Sequence, residues 1–301
     1  MTLKQLETFY WICRVGSFIA AAQHLNTTQS AISMRVRDLE ESLGVQLFNR
    51  DTRTARPTAK GRELLFLVEQ LLSLTGRIRQ SVGDPRMLTG KIRLGVTELV
   101  AVTWLADLVA LINREFPAIT VELDVDLTYN QVRKLETGAL NIALIPGPID
   151  VPGFAQVSLG LVRMCWVASP VFEIPDEVHP TDSLHRWPLL ILTKNSNLHS
   201  KVISSLGHAA HPSRINVCNN IGTLAAMAIA GIGIAYLPIE YYAQEIAEGK
   251  LRVIRTEPQL PDLEYFAVYD RRSPEPIPEK VAEFARLASR FNPKPDSDAA
   301  S

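Results

Sequence analysis

Hydrophobic residues recur at helical spacing through the first 43 positions of the chain. The pattern predicts helices over residues 3–14, 18–25 and 28–43, because apolar side chains return every three or four positions in each segment. Ser17 and Thr28 precede the second and third helices, where a side-chain oxygen can accept a hydrogen bond from a free backbone N–H. Two short helices, a tight turn and a third helix are the layout of a helix-turn-helix.

The third predicted helix has two chemically different faces. Its apolar residues fall within about 45° of one another on a helical projection and are expected to pack into the domain. These residues are Ile32, Val36, Leu39 and Leu43. The outer side is polar and carries Ser30, Ser33, Met34 and Arg37, with Gln29 at the exposed N-terminus. An outer face of this kind is the part of a helix-turn-helix that enters a DNA major groove.

A basic hairpin and a long helix follow. Residues 47–64 carry several Arg and Lys among Thr residues, which predicts an exposed wing. Thr58 can cap a helix over about 59–82, and residues 83–90 form a hinge. An apolar stripe at spacing 4, 3, 4 along this helix needs a partner, and a second copy of the same helix is the simplest one. The predicted dimer seam comprises Leu64, Val68, Leu71, Ile78 and Val82.

From residue 91 the pattern changes to alternating strands and helices. Residues 91–97 and 119–126 read as strands, and 141–145 reads as a buried strand closed by Pro146. The second half repeats this order more loosely and ends in a helix over about 277–291. Alternation at this spacing predicts an α/β fold with largely parallel sheets.

Composition and charge narrow the class of protein. Hydrophobic residues make up 47% and charged residues 21% of the chain, as in ordinary globular domains, and no apolar run reaches the length of a membrane span. Residues 1–62 contain nine Lys or Arg and five Asp or Glu, a net charge of +4, so the other 239 residues carry −5. Three dispersed cysteines give neither a disulfide framework nor metal-ligand spacing. We therefore expect a cytoplasmic protein with a nucleic-acid-binding N-terminal module.

A long and ordered set of residues in this module resembles the LysR-type transcriptional regulators. The matching positions are Leu6, Phe9, Gly16, Ser17, Ala20 to Ala22, Leu25, Thr28 to Ser33, Leu39, Glu40, Leu43, Gly44, Leu47, Phe48, Arg50, Thr58 and Gly61. The rest of the chain matches in layout. The family commonly has Pro where this chain has Ser30 and Arg where it has Met34, so operator preference is not carried over.

The resemblance implies the domain organisation. It predicts a winged helix-turn-helix over 1–58, a dimerising linker helix and hinge over 59–90, and an effector-binding domain over 91–295. The last is expected to resemble a two-lobed periplasmic binding protein, with lobe I formed by 91–161 plus 268–295 and lobe II by 162–267. It also implies a homodimer or homotetramer that binds double-stranded promoter DNA and a small-molecule effector, with RNA polymerase as a further candidate partner.

DNA contacts are predicted in two groups. Base contacts are expected from Gln29, Ser30, Ser33, Met34 and Arg37. Gln29 can pair with adenine, Ser33 can reach several base edges, and Met34 can touch only a thymine methyl. Contacts to phosphates or the minor groove, which position the protein without specifying sequence, are expected from Thr28, Arg35, Arg50 and Arg53. The alternative is a plain three-helix scaffold whose polar face is merely solvated.

Effector contacts are predicted where strands end and helices begin, because backbone N–H groups at helix N-termini attract anions. The candidates are Thr97, Glu98, Thr128, Asn195, Ser196 and Thr223. Each of them alone is more often just a helix cap. Glu98 either caps its own helix or selects an effector with a hydroxyl or amine, and both alternatives stay open. A small organic acid is the first hypothesis for the effector, and no cofactor is expected.

Other motifs favour structural roles. His208 and His211 have no third ligand nearby, so no metal site is predicted, and Cys218 before a helix is a weak candidate for a redox switch. No Ser/His/Asp or paired-carboxylate arrangement suggests catalysis. The predicted function is an effector-responsive transcriptional regulator, in which binding between the lobes alters DNA bending. The rivals are a ligand-independent architectural DNA-binding protein and an α/β enzyme.

Overall fold

The computed structural model describes residues 1–49, 55–82, 88–207, 215–273 and 277–292. Its eleven α-helices within these ranges are α1 (Leu3–Val15), α2 (Phe18–His24), α3 (Gln29–Leu43), α4 (Ala59–Val82), α5 (Glu98–Thr103), α6 (Leu105–Glu115), α7 (Thr128–Glu136), α8 (Asn197–Ser205), α9 (Ile221–Ile229), α10 (Ala243–Ala247) and α11 (Ile277–Ala288). None of these helices is both long and apolar enough to cross a membrane.

The helix-turn-helix forms because each of its helices begins and ends at a capping residue. The side chains of Ser17 and Thr28 accept hydrogen bonds from backbone N–H groups of the first turns of α2 and α3. Gly16 and Gly44 end α1 and α3 in the left-handed conformation, at φ values of 67° and 66°. The three helices enclose a small core whose centre is Phe9, Ile12, Ile32, Leu39 and Phe48. The predicted caps and helix ends are confirmed.

One apolar face of α4 is buried and another is exposed. Val68 is 2% exposed and packs into the core of its own DNA-binding domain, and half-buried Leu64 lies against the same core. The prediction that Val68 lies in a dimer seam is therefore wrong, because its side chain is already covered by its own chain. Leu71 and Ile78 are exposed. They belong to a row of exposed residues that we call the linker stripe: Leu67, Leu71, Leu74 and Ile78. The side chain of Val82 lies outside the described part of the structure.

The body of the chain contains two five-stranded sheets. Its strands are β1 (Gly90–Val96), β2 (Ile119–Val125), β3 (Ile142–Pro146), β4 (Phe154–Val162), β5 (Met164–Ala168), β6 (His179–Pro180), β7 (Leu189–Leu192), β8 (Ile215–Cys218), β9 (Ile234–Pro238), β10 (Arg252–Ile254), β11 (Thr256–Glu257) and β12 (Leu263–Asp270). Lobe I has the strand order β2-β1-β3-β12-β4 and lobe II the order β10-β5-β9-β7-β8. In lobe I β1 pairs in parallel with β2 and β3, and in lobe II β7 pairs in parallel with β8 and β9.

The chain passes between the lobes twice. The first passage lies at Arg163, between β4 in one sheet and β5 in the other. The second passage precedes β12, because Leu263 already pairs with Val162 of lobe I and Tyr265 pairs with Pro146. Residues 263–267, which the sequence analysis assigned to lobe II, therefore belong to the sheet of lobe I. The boundary was misplaced because β12 reads as one continuous apolar strand with no turn signal inside it.

The DNA-binding domain also contacts lobe I of its own chain. Arg14 at the end of α1 forms an ion pair with Asp270 at the end of β12, and both side chains are largely buried. Arg272 approaches the same carboxylate from the other side, with its Nε 2.9 Å from Oδ1. The Tyr10 hydroxyl donates to the carbonyl oxygen of Arg272 at 3.3 Å. These contacts join the helix-turn-helix directly to the sheet of lobe I.

His24 lies at the same junction between the domains. Its ring stacks on Trp11, with the ring centroids 3.5 Å apart, and its Nδ1 lies 3.4 Å from a guanidinium nitrogen of Arg93. Burial, together with the positive charge of Arg93, lowers the pKa of His24 to about 4. The imidazole is therefore neutral at pH 7 and serves as a packing group.

Candidate DNA-binding and effector-binding sites

The outer face of α3 is exposed, and it borders a groove that also reaches the wing. Gln29, Ser33 and Arg37 line this groove, with Asn49 and Ala55 on its far side. All three α3 residues are among the predicted base contacts. Because they project from successive turns of one exposed face, a duplex in the groove would meet all of them at once.

The remaining candidates on α3 have more varied surroundings. Met34 is 62% exposed and makes a purely apolar tip on the outer face. The hydroxyl of Ser30 lies 3.0 Å from that of Thr28, which itself caps α3. Arg35 is only partly exposed and donates to the hydroxyl of Thr8 on α1 at 3.4 Å. Arg35 is therefore held against α1, at the edge of the surface rather than at its centre.

The base of the wing is held by Glu40, a residue with no predicted site role. Its carboxylate accepts hydrogen bonds from the backbone N–H groups of Leu47 at 2.6 Å and Phe48 at 3.3 Å. Phe48 then bridges to Pro57 across the wing. Glu40 thus fixes Leu47 and Phe48, at the base of the wing, relative to α3, and nothing in its local sequence signals these partners. Arg50 and Arg53 lie outside the described residues.

We predict that Ser33 and Gln29 discriminate among DNA sequences. Replacing either with Ala is expected to cost on the order of 1–3 kcal/mol on a duplex that the wild-type protein selects from a random pool, because base-edge hydrogen bonds are lost. Binding to random duplexes is expected to change little. Gel-shift titrations on both duplexes measure the difference, with exposed Glu41 replaced by Ala as a control on the same helix. An equal loss on both duplexes would place these residues among the phosphate contacts.

A cleft of about 240 Å³ lies between the two lobes. Thr97, Glu98, Thr128 and Ser196 line it, so four of the six predicted effector contacts meet in one cavity. The loop that precedes α9 contributes Asn219 and Asn220 in place of Thr223, and the structure adds two polar residues that the sequence analysis missed, Asp126 and Tyr265. Its apolar walls include Leu99, Val125, Leu127, Met164, Leu192, Leu198, Ile221 and Leu263. A cavity with apolar walls and a few converging polar groups is suited to a small organic molecule.

One end of the cleft is formed by a pair of hydroxyl groups from lobe I. The hydroxyl of Thr97 donates to that of Tyr265 on β12 at 3.3 Å. Burial raises the pKa of Tyr265 to about 12, so its hydroxyl stays protonated at neutral pH. Tyr265 comes from the strand that returns to lobe I at the end of the fold. Its approach to Thr97 could not be seen from sequence spacing.

Glu98 reaches across the cleft from lobe I to lobe II. Its Oε2 accepts the backbone N–H of Ile221 at 2.7 Å and its Oε1 accepts that of Gly222 at 3.1 Å. Both N–H groups belong to the first turn of α9, where the helix dipole favours a negative charge. Glu98 therefore caps α9 of the opposite lobe, and the alternative that it caps its own helix is wrong.

Two further hydrogen bonds connect the lobes beside the cleft. The N–H of Tyr129, in the first turn of α7, donates to the carbonyl oxygen of Asn195 at 3.3 Å. The Asn197 side chain donates to the carbonyl of Pro146 at 2.8 Å. Neither Asn195 nor Thr223 lines the cleft as described. Asn195 contributes its backbone carbonyl to the contact between the lobes, and the hydroxyl of Thr223 is used inside the capping turn of α9. Their predicted role as effector contacts has no support from this geometry.

The charge lining the cleft is negative. Burial raises the pKa of Asp126, but hydrogen bonds from Lys134 and Asn130 outweigh this effect and bring it below its ordinary value. Lys134 is engaged by this carboxylate at 2.8 Å and by Asp124 at 2.7 Å. Among the described residues, no Lys, Arg or His lines the cleft. The polar surface offered to a ligand therefore consists of hydroxyls, amides and carboxylates.

Both parts of the chain match models of known protein families. Residues 3–62 match the model of the bacterial regulatory helix-turn-helix protein, lysR family, and residues 85–290 match that of the LysR substrate binding domain. The chain belongs to the LysR family of transcriptional regulators. This LysR-type protein is therefore a DNA-binding, effector-responsive regulator rather than an enzyme.

Curated relatives and solved structures resemble this LysR-type regulator over nearly its whole length. It is 27% identical to the regulator BbuR of Bordetella bronchiseptica, over 82% of this chain and 77% of the relative. It is also 27% identical to YofA of Bacillus subtilis, over 89% and 92% of the two chains. A full-length OxyR variant of Pseudomonas aeruginosa superposes with a TM-score of 0.69 at 20% identity, covering 98% of both chains. LysG of Corynebacterium glutamicum, solved with bound effector Arg, gives a TM-score of 0.63 at 18% identity, covering 97% and 100%.

Proposed function

We propose that the outer face of α3 reads promoter DNA in the major groove, while the wing contacts the backbone. The proposal is supported by the exposure of Gln29, Ser33 and Arg37 on one face and by Glu40, which holds the base of the wing beside them. Phosphate contacts from Arg50, Arg53 and Thr28 stay predictions of the sequence. Because its target is chromosomal DNA, we propose that the protein acts in the cytoplasm, with RNA polymerase as a candidate partner at the promoter.

We propose that two copies associate through the linker stripe. Its residues follow the 4, 3, 4 spacing that keeps one seam facing a partner helix, and each is 41% exposed or more. Val68 and Leu72 are excluded from that seam because they pack inside their own domain.

We propose that the cleft between the lobes binds the effector. The observation that carries the proposal is the meeting of Thr97, Thr128 and Ser196, from three separate loops, around one apolar cavity. The hypothesis of a carboxylate effector depended on free helix N-termini. In the structure the N–H groups that open α9 are already bound by Glu98. We therefore propose a small polar organic effector without assigning it a carboxylate.

Effector binding is coupled to DNA through the arrangement of the lobes. The lobes are joined by Glu98 and by the Tyr129 and Asn197 hydrogen bonds, and lobe I is joined to the DNA-binding domain through Asp270. A ligand that prefers one arrangement of the lobes shifts the population towards it. We propose that this shift changes the angle between paired DNA-binding domains and hence the bend of the promoter.

We predict that replacing Thr128 with Val weakens effector binding by roughly 1–3 kcal/mol, because a buried ligand group loses its hydrogen-bond partner. The side chain is 4% exposed and the substitution keeps its shape. Compounds that raise the melting temperature of the full-length protein are first identified in a library of small amines, alcohols and acids, then titrated calorimetrically. Exposed Thr120 on β2, replaced by Val, is the matched control.

Two results would contradict the proposal. Unchanged affinity in the Thr128 variant would remove this residue from the binding site. A complete absence of stabilising compounds, together with DNA binding that discriminates little between sequences, would favour the ligand-independent architectural protein. Effector-free DNA binding is expected to be the same in the wild type and the Thr128 variant, because the cleft and α3 lie in different domains.

A further inference from the structure

Glu98 is the most informative group in the cleft, because it belongs to one lobe and binds the other. We propose that the effector carries a protonated amine, which binds the carboxylate of Glu98 while that carboxylate holds the N-terminus of α9. This inference rests on the proposed function of the cleft as the effector site. It adds the chemical class of the effector and the reason why its binding depends on the arrangement of the lobes.

The carboxylate of Glu98 has room for a further hydrogen bond. Each of its two oxygens accepts one backbone N–H, from Ile221 and Gly222. An ionised carboxylate offers about four acceptor positions in all, so about two are unused by α9. Glu98 also lines the cavity itself. A donor that enters the cleft can therefore bind Glu98 without displacing it from the helix.

The surroundings favour a cation over an anion. Among the described residues that line the cleft, Glu98 and Asp126 carry carboxylates. None of these lining residues has a basic side chain. The ammonium group of Lys134, which pairs with the cleft residue Asp126, is held by a second carboxylate, that of Asp124. An ammonium group in the cavity gains from Glu98 and from the negative lining, whereas a carboxylate is repelled by both.

Two of the helix N-termini around the cleft, those of α8 and α9, are already occupied by side chains. The first N–H groups of α9 are taken by Glu98, and the next one, from Thr223, is taken by the side chain of Asn220. At α8 the Ser196 side chain accepts the N–H of Leu198. An anionic ligand at α8 or α9 would have to displace these groups, whereas an amine at Glu98 uses acceptor positions that are already in place.

A largely buried threonine in the cleft lining marks where the rest of the ligand lies. Thr128 is 4% exposed and lines the cleft. The neighbouring wall is apolar and includes Leu127 and Leu198. A polar group of the ligand at Thr128 and an apolar body against this wall would satisfy both features.

The two-lobe position of Glu98 also makes amine binding sensitive to lobe closure. When the lobes separate, the carboxylate leaves the N–H groups of Ile221 and Gly222 and the two walls of the amine site move apart. An amine bound to Glu98 in the closed cleft therefore stabilises the closed arrangement in preference to the open one. The same carboxylate thus recognises the effector and holds the lobes together.

The test uses two triplets of compounds that share a skeleton and differ in charge. They are isoamylamine, isoamyl alcohol and isovalerate, and phenethylamine, phenethyl alcohol and phenylacetate. The melting temperature of the full-length protein is measured at pH 7 with each compound, and the stabilising compounds are titrated calorimetrically. We expect an amine to stabilise the protein and its matching carboxylate not to do so.

Three variants accompany the wild type in these titrations. Glu98→Gln removes the charge, and amine affinity is expected to fall about tenfold or more, as for loss of a charged hydrogen-bond partner. Glu98→Asp keeps the charge on a shorter side chain, and it is expected to retain the preference for the amine over the alcohol. Glu136→Gln makes the same change at an exposed position of lobe I outside the cleft and is expected to bind like the wild type.

Several outcomes would overturn the inference. They are stabilisation by a carboxylate, amine affinity unchanged in Glu98→Gln, and no stabilisation by either amine. Stabilisation by an alcohol or carboxylate that disappears in Thr128→Val would contradict the amine while leaving the cleft as the effector site. Amine binding that is lost in Glu98→Gln but unchanged in Thr128→Val would support the amine and remove Thr128 from the site.

Discussion

Replacing Leu71 with Glu is expected to separate the dimer and abolish tight operator binding. Leu71 is 41% exposed in the middle of the linker stripe, between Leu67 and Leu74. In the proposed seam each copy would bring one carboxylate into an apolar contact, so two charges would lose water without gaining partners. We expect dimer dissociation to increase on the order of 1000-fold, equivalent to about 4 kcal/mol.

Sedimentation velocity over a range of protein concentrations measures this effect directly. Leu71→Met is the matched control, because it keeps the side chain apolar and of similar volume and should remain dimeric. The effector domain of the Glu variant is expected to keep its own melting transition, since Leu71 contacts no residue of that domain in the hydrophobic clusters of the described chain. A stable dimer in the Glu variant would show that association uses another surface.

Replacing Gly61 with Ala is expected to unfold the junction between the wing and the linker helix. A Cβ at this position would overlap the backbone carbonyl oxygen of Leu47 and lie 3.0 Å from the Cβ of Pro57. Neither neighbour is a flexible side-chain end, so the first turn of α4 would have to move away. Such overpacking costs about 3 kcal/mol or more where the backbone cannot yield.

The displaced turn carries hydrogen bonds that define the wing. The N–H of Thr58 donates to the carbonyl of Leu47 at 2.9 Å, and the N–H of Gly61 donates to the hydroxyl of Thr58 at 3.0 Å. We therefore expect the Gly61 variant to lose DNA binding in gel shifts and to melt its DNA-binding domain at a lower temperature by circular dichroism. Lys60→Ala, at an exposed neighbour, should change the melting temperature little. Equal melting of Gly61→Ala and the wild type would mean that α4 tolerates the shift.

The helix-turn-helix could be predicted because its signals are local. Capping residues such as Thr28, the glycines that end α1 and α3, and the apolar face of α3 all act within a few residues of where they stand. The α/β body could be predicted for the same reason, since each strand and helix shows its own periodicity. The bounds of α4 and its apolar residues could also be predicted, but the sequence did not show which of its apolar residues pack inside their own domain and which stay exposed. Only the packing of α1 against α4 shows that Val68 is covered and Leu71 is not.

The features of the effector site that depend on neighbouring residues could also be predicted, and those that depend on distant residues could not. Its polar loops could be predicted as helix starts, and four of them do line one cavity. The partner of each loop was beyond prediction because the partners come from distant parts of the chain. Tyr265 meets Thr97 across 168 positions, through a strand that the sequence analysis divided between the two lobes.

The sequence by itself determined the elements, their order and the family, because caps, periodicity and charge act over a few residues. The tertiary structure decided which of these elements meet. Glu98 and Ile221 are separated by 123 positions, and their hydrogen bond exists only because the two lobes close on each other. The relative position of the lobes depends on how both sheets pack and on the two passages of the chain between them. No single segment of the sequence contains that information. For that reason Glu98 was ambiguous in the sequence, and its role as the link between the lobes appears only in the folded chain.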